Sequence, residues 1–289
     1  MESIVIYSFP AELVYLRYFA AQIAQESITS SMTNLWNLQT LIIKPKEGKL
    51  TLPITVWKMV KLRHIHIDNA YFSLNDGKEL LENLETLSSP SFSCPKGVEL
   101  LLRKTPNLRE LACSFVDFKD DLFPKLDFPA QLETLEIHLA TGSMIDGPCN
   151  FPSSLRNLTM SRFSLGSCHE SNIANLPQLQ VLRLVDIVFD NKEWKVRDDE
   201  FPELIDLKVE DCVFFEEWNV SDDALPRLHH LVLRKCQYLK VIPDCFQEIS
   251  SLKSIEIKWC NKSVEKSGID ILRTKVEDYQ ISDFRVFIN

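Results

Sequence analysis

Apolar residues return along this chain in the pattern L-x-x-L-x-L eleven times, at steps of 22 to 25 residues. The first leucines are Leu13, Leu38, Leu62, Leu84, Leu108, Leu132, Leu155, Leu179, Leu204, Leu228 and Leu252. The clearest units are Leu132-x-x-Leu135-x-Ile137, Leu155-x-x-Leu158-x-Met160, Leu179-x-x-Leu182-x-Leu184 and Leu228-x-x-Leu231-x-Leu233. Within a unit the alternation is that of a strand with one apolar face. Between units the spacing is that of a leucine-rich repeat. One short strand cannot bury its apolar side chains alone, so the units must stack. The predicted fold is α/β: a leucine-rich repeat horseshoe of about eleven repeats of about 24 residues, with a parallel sheet on the concave face. At about 4.8 Å per step that face extends roughly 48 Å. The solenoid is expected over residues 1–260. Beyond Ile257 the period is lost, and Ile269, Ile271, Leu272, Val276, Tyr279, Ile281, Phe284 and Val286 can cover the last unit, so 261–289 reads as a C-terminal cap of the same domain.

The cysteines fall into this register. Cys212, Cys236 and Cys260 each lie eight residues after the first leucine of their units, where a small buried side chain closes the turn after the strand. Elsewhere the column holds Ala70, Val116, Ala140, Phe163 and Ile187, and Lys46 breaks it. There is no C-x-x-C, and the other cysteines lack metal-ligand spacing. The three are therefore read as a structural ladder of inert thiols. Two successive units also repeat one another outside the leucines: Glu193-Trp194-x-Val196-x-Asp198-Asp199-x-x-Pro202 returns as Glu217-Trp218-x-Val220-x-Asp222-Asp223-x-x-Pro226. Duplication of one unit explains this. The two tryptophans then either pack on each other or serve as binding anchors, and packing is the simpler role.

The net charge of −9, from 41 acidic and 32 basic residues, disfavours a nucleic-acid partner. In the last four units, however, the outward positions include Arg183, Lys208, Arg234, Lys235, Lys253 and Lys258, whereas acidic residues gather on the return loops. These residues fit a basic strip awaiting an acidic partner. They also fit ordinary solvated surface, interrupted by Glu210, Asp211 and Glu256. The opening segment lacks the basic stretch of a signal peptide, and no apolar run reaches the 18 or so residues of a membrane span. A cytoplasmic protein with reduced thiols is expected, free or peripheral at a membrane. The sequons at Asn157, Asn219 and Asn261 then have no meaning as glycosylation sites.

Catalytic and metal motifs are missing. His64 with His66, and His229 with His230, could ligate a metal, but the sequence fixes no carboxylate or cysteine beside them. There is no G-x-S-x-G and no H-E-x-x-H, and Gly48-Lys49 and Gly77-Lys78 lack the rest of a P-loop. The expectation is a binding scaffold without catalytic residues, metal or cofactor. Its candidate partner-binding residues are Arg17, Arg63, His64 and His66 toward the N-terminal end, and Arg183, Lys208, His230, Arg234 and Lys258 toward the C-terminal end.

The residues between the leucines resemble a known family. Phe9-Pro-Ala-Glu-Leu-Val-Tyr-Leu-Arg-Tyr-Phe19, Asn34-Leu-Trp-Asn-Leu-Gln-Thr-Leu41, Val56-Trp-Lys-Met-Val-Lys-Leu-Arg-His64, Leu102-Arg-Lys-Thr-Pro-Asn-Leu-Arg109, Leu231-Val-Leu-Arg-Lys-Cys236 and Ile242-Pro-Asp-Cys-Phe246 look like the repeat domain of plant NB-LRR disease-resistance receptors. The tail Lys275-Val-Glu-Asp-Tyr-Gln280 followed by Phe284 is similar to the end of the late blight resistance proteins of nightshades. The resemblance implies that the repeats sense a pathogen effector, or a host protein modified by one, and restrain a nucleotide-binding switch domain of the same receptor. It also implies that the first group of candidate residues touches that domain and the second the ligand. ADP or ATP would belong to the switch domain, which this chain does not contain. Alternative readings are a free truncated repeat protein, such as a decoy, and a ubiquitin-ligase substrate adaptor, which would need a helical F-box-like segment before the repeats.

Overall fold

From Leu38 onward the leucine lattice becomes strands two residues after each first leucine. A computed structural model describes residues 5–73, 77–116, 123–127, 130–140, 149–212, 214–278, 280 and 283–289. The chain divides into two compact units, Met1–Ala140 and Thr141–Asn289. The first unit contains β1 (Tyr18–Ile23), β2 (Thr40–Pro45), β3 (Leu50–Leu52), β4 (His64–Phe72), β5 (Thr86–Phe92), α1 (Pro95–Lys104), β6 (Glu110–Phe115) and β7 (Thr134–Leu139). Its sheet runs β1-β2-β4-β5-β6-β7, all parallel, with β3 paired to the far end of β4.

The second unit contains β8 (Asn157–Ser161), β9 (Ser164–Leu165), α2 (Ser167–Ala174), β10 (Val181–Val185), β11 (Val188–Phe189), β12 (Glu193–Val196), β13 (Asp206–Glu210), β14 (Glu217–Val220), β15 (His230–Arg234), β16 (Ser254–Lys258), α3 (Lys262–Arg273) and β17 (Arg285–Ile288). Its main sheet is β8-β10-β13-β15-β16-β17, again parallel. Two small parallel pairs, β9 with β11 and β12 with β14, form from the return segments.

In the second unit the inward strand positions are Leu158 and Met160, Leu182 and Leu184, Leu207 and Val209, Leu231 and Leu233, and Ile255 and Ile257. All are essentially fully buried. Each contributes roughly 1.5–3 kcal/mol on burial, which is why one unit alone fails and a stack holds. The residue after each strand turns the chain and takes a left-handed conformation: Arg162, Asp186, Asp211, Lys235 and Trp259 have φ between 53° and 65°. The N–H of the first four donates to the end of the next strand, Arg162 to Val185 O, Asp186 to Glu210 O, Asp211 to Arg234 O and Lys235 to Lys258 O, at 2.8–2.9 Å. One residue further on, the Cys236 thiol lies 3.5 Å from Arg234 O and 3.6 Å from Val209 O, and Cys260 repeats this with Lys258 O and Leu233 O at 3.6 Å. Cys212 contacts Glu210 O at 3.5 Å. Burial pushes the Cys212 thiol up to about 12. Cys236 is raised further by its contact with Cys260 and by burial.

The first repeat is phased differently from the sequence reading. Tyr18 pairs with Thr40, so Leu16, and not Leu13, is the equivalent of Leu38. Leu13 belongs to the 3-10 turn Ala11–Tyr15 and is 40% exposed. That turn occupies the three residues by which the phase is shifted.

Residues 262–289 return as a helix and a strand. α3 is capped by Asn261, whose side chain accepts from Ser263 N and Val264 N and donates to Gln237 O and Leu239 O. Val264, Ile271 and Phe284 are buried, and β17 pairs with β16. Ile269 and Val276 face solvent instead of covering the last unit; Tyr279 and Ile281 lie outside the described residues. Gly268 sits where α3 crosses the sheet, and a Cβ there would stand 2.5 Å from Ile257 Cδ1.

Candidate recognition face

The outward side chains of each main sheet form columns in register. In the second unit the central column reads Thr159, Arg183, Lys208, Val232, Glu256 and Phe287. One column toward the strand starts reads Asn157, Val181, Asp206, His230, Ser254 and Arg285, and one toward the ends reads Ser161, Val185, Glu210, Arg234 and Lys258. The structure thus puts Arg183, Lys208, His230, Arg234 and Lys258 on one face. Arg183, Lys208 and His230 line a depression of about 230 Å³ together with Asp206, Val181 and Val232.

A basic strip is not what these residues make. Lys208 is ion-paired with Glu210. Arg234 holds Glu256 through Nε and Nη2 at 3.0 and 2.6 Å, and Lys258 reaches the same carboxylate at 3.1 Å. Lys235 pairs with Asp211 at 3.1 Å. The Arg234 guanidinium, with Lys258, holds the Glu256 carboxyl below its ordinary range, and the carboxylate raises Arg234 in turn. Carboxylates one strand away, or two residues along, therefore compensate most of the cations. Among the described residues Arg183 has no carboxylate partner. Exposed pairs of this kind contribute little to stability; they leave a polar, hydrogen-bonding surface of mixed sign.

In the first unit His64 and His66 are the first and third residues of β4 and share a face. Each meets a hydroxyl on the next strand: His64 Nδ1 is 3.3 Å from Thr86 Oγ1 and His66 Nδ1 is 3.0 Å from Ser88 Oγ. His230 does the same with Ser254 Oγ at 2.8 Å. Arg17 and Arg63 stand one residue ahead of β1 and β4, not within the strands. Their carbonyls take part in the rungs that start the strands: Arg17 O accepts from Gln39 N, and Arg63 O from Glu85 N, at 2.8 Å. The Arg63 side chain is bound to Glu85 at 2.7 Å. Among the described residues no three His, Cys, Asp or Glu side chains converge as a metal would need.

The tryptophans lie away from this face. Trp194 and Trp218 are buried in the β12–β14 pair, their rings parallel within 2° at 5.4 Å, with Phe189, Phe215 and Phe246 around them. They are packing residues. A polar device absent from the sequence reading is an asparagine just before the first leucine. Asn37, Asn83 and Asn107 each donate their amide to a carbonyl of the preceding repeat, Val14 O, Val60 O and Glu82 O, at 2.6–2.8 Å. The recurrence of Asn-Leu at those starts was the available signal.

Taken together, the chain is a leucine-rich repeat protein whose solvent-facing sheet residues suit contact with another macromolecule. It is homologous along nearly its whole length to the leucine-rich repeat part of putative late blight resistance protein homologs of Solanum demissum. One is 45% identical over 293 residues, covering 96% of this chain and 22% of that protein; another is 46% identical over 301 residues, covering 99% and 23%. The chain thus spans about a quarter or less of the length of these relatives, and these are plant disease-resistance proteins by description. No protein-family model matches the chain. Among solved structures, an internalin from Listeria monocytogenes superposes with a TM-score of 0.52 at 14% identity, over 96% of this chain and 83% of that one, a likeness of fold. Among the described residues no helix is long and apolar enough to cross a membrane.

Proposed function

We propose that this chain is the sensing and autoregulatory repeat region of an intracellular plant immune receptor. In this reading the sheet face of the second unit holds a pathogen effector or a guarded host protein. The residues around Arg17, Arg63, His64 and His66 contact the receptor's nucleotide-binding switch domain, and ligand binding releases that domain to start a defence response of the hypersensitive type. Any ADP or ATP is held by the switch domain. The observation that carries the reading is the 45% identity, along nearly the whole chain, to putative late blight resistance proteins. The uncompensated Arg183 beside Lys208, Asp206 and His230 supports the choice of face.

The test uses a receptor from the relatives with this chain replacing its repeat region, expressed in leaves with and without candidate effectors. Arg183→Glu combined with Lys208→Glu should abolish effector-dependent cell death while protein level and background activity stay unchanged. An undiminished response would remove this face from recognition.

A further inference from the structure

Among the described residues, one strand edge on the return side of the second unit has no strand neighbour. β12 and β14 pair in parallel, with Trp194 against Trp218 and Val196 against Val220, and Ser221 N–H donates to Val196 O at 2.9 Å. In that register the backbone groups of Glu217 and Asn219 face β12, so those of Trp218 and Val220 face away from it. The next repeat begins to supply a third strand, since Lys240 N–H donates to Glu216 O at 3.0 Å. It then turns off: Ile242 N–H donates to Ser267 Oγ at 3.0 Å, and Pro243 has no N–H to give. Among the described residues no backbone group pairs with Trp218 or Val220 on that side.

A cleft of about 530 Å³ lies where the third strand would continue, lined among others by Val196, Trp218, Val220, Asp222, Val241 and Asp244. Two observations say what it would take. Trp218 is 5% exposed, and its Nε1–H is buried without an acceptor, a state that costs roughly 1–3 kcal/mol. The charges at the rim are uneven. Lys195 is paired with Glu193 and Arg197 with Glu200, whereas Asp222 and Asp244 have no cationic partner among the described residues.

We propose that this cleft is a strand-addition site for an extended segment of a partner protein that carries Lys or Arg. The segment's backbone bonds to the N–H and C=O groups of Trp218 and Val220, and its cation sits between Asp222 and Asp244. Main-chain pairing supplies affinity and the carboxylates supply selectivity. The site is separate from the sheet face discussed above, and its failure leaves that reading untouched.

The test uses the full 289-residue chain and two labelled probes, acetyl-Thr-Val-Arg-Val-Lys-Val-Thr-amide and its counterpart with Glu at both basic places. Binding is followed by fluorescence anisotropy and by amide and indole shifts. The basic peptide is expected to bind and to shift the Trp218 indole and the Trp218 and Val220 amides. Asp222→Asn with Asp244→Asn should weaken it about tenfold, the loss of two rim contacts. Val220→Pro, tolerated at an open edge, should abolish binding. Equal binding of both peptides, no effect of the isosteric Asn pair, or shifts confined to the main sheet would overturn the proposal. So would self-association of the chain that Val220→Pro removes, because the occupant would then be a second copy.

Discussion

Replacing Glu170 with Gln should stabilise the second unit, and the gain should grow with pH. Glu170 lies in α2, is 9% exposed, and stands against Leu165, Ile173, Leu184, Trp194 and Phe201. Burial raises its carboxyl to about 7, opposed by a hydrogen bond from the Lys195 backbone and assisted by Asp190. Below pH 4.5 the folded and unfolded states both hold the proton, and there is no penalty. Between 4.5 and 7 the unfolded chain ionises while the folded one stays protonated, so stability falls as pH rises. Above 7 the whole penalty is present. The 2.5-unit rise from 4.5 to about 7 corresponds to on the order of 3 kcal/mol at 1.36 kcal/mol per unit. Gln keeps an oxygen for Lys195 N and never ionises. Urea unfolding followed by tryptophan fluorescence at pH 4, 6 and 8.5 should therefore show wild type and Glu170→Gln close together at pH 4 and separated by about 3 kcal/mol at 8.5. A difference that stays flat across this range would mean that the carboxyl is solvated, and the reasoning fails.

Two further outcomes follow from packing. Gly268→Ala would bring a Cβ within 2.5 Å of Ile257 Cδ1, and calorimetry should show a lower Tm, equivalent to about 1–3 kcal/mol of overpacking; an unchanged Tm would show that α3 can lift off the sheet freely. A thiol reagent at neutral pH should label exposed Cys168 and half-buried Cys260, whose contact with Cys236 lowers its thiol to about 7, and reach Cys113, Cys149, Cys212 and Cys236 only on unfolding, because burial pushes Cys113 and Cys212 up to about 12. Early labelling of Cys236 would contradict the ladder.

The repeat was legible because it depends on identity at fixed spacing: from Leu38 onward every first leucine precedes a strand by two residues. Leu13 misled because Leu13 and Leu16 both begin an apolar run, and only pairing with Thr40 decides between them. The candidate site was less legible for a related reason. Arg234 and Glu256 are 22 residues apart and meet only once the register is fixed, so a list of outward cations overstated the positive charge. The open edge of β14 depends on Ile242 finding Ser267, which lies in α3, beyond the repeats.

The left-handed residue after each strand in the second unit bears on how such a chain can evolve. Arg162, Asp186, Asp211, Lys235 and Trp259 hold a backbone geometry that glycine adopts freely, and each non-glycine gives up about 1 kcal/mol to do so. In the second unit that expense recurs after each of these five strands, so copying such a 24-residue unit copies this deficit together with its buried core. Lineages can therefore lengthen or shorten the array by whole modules at near-constant foldability, while the rim retains five side chains that selection is free to vary.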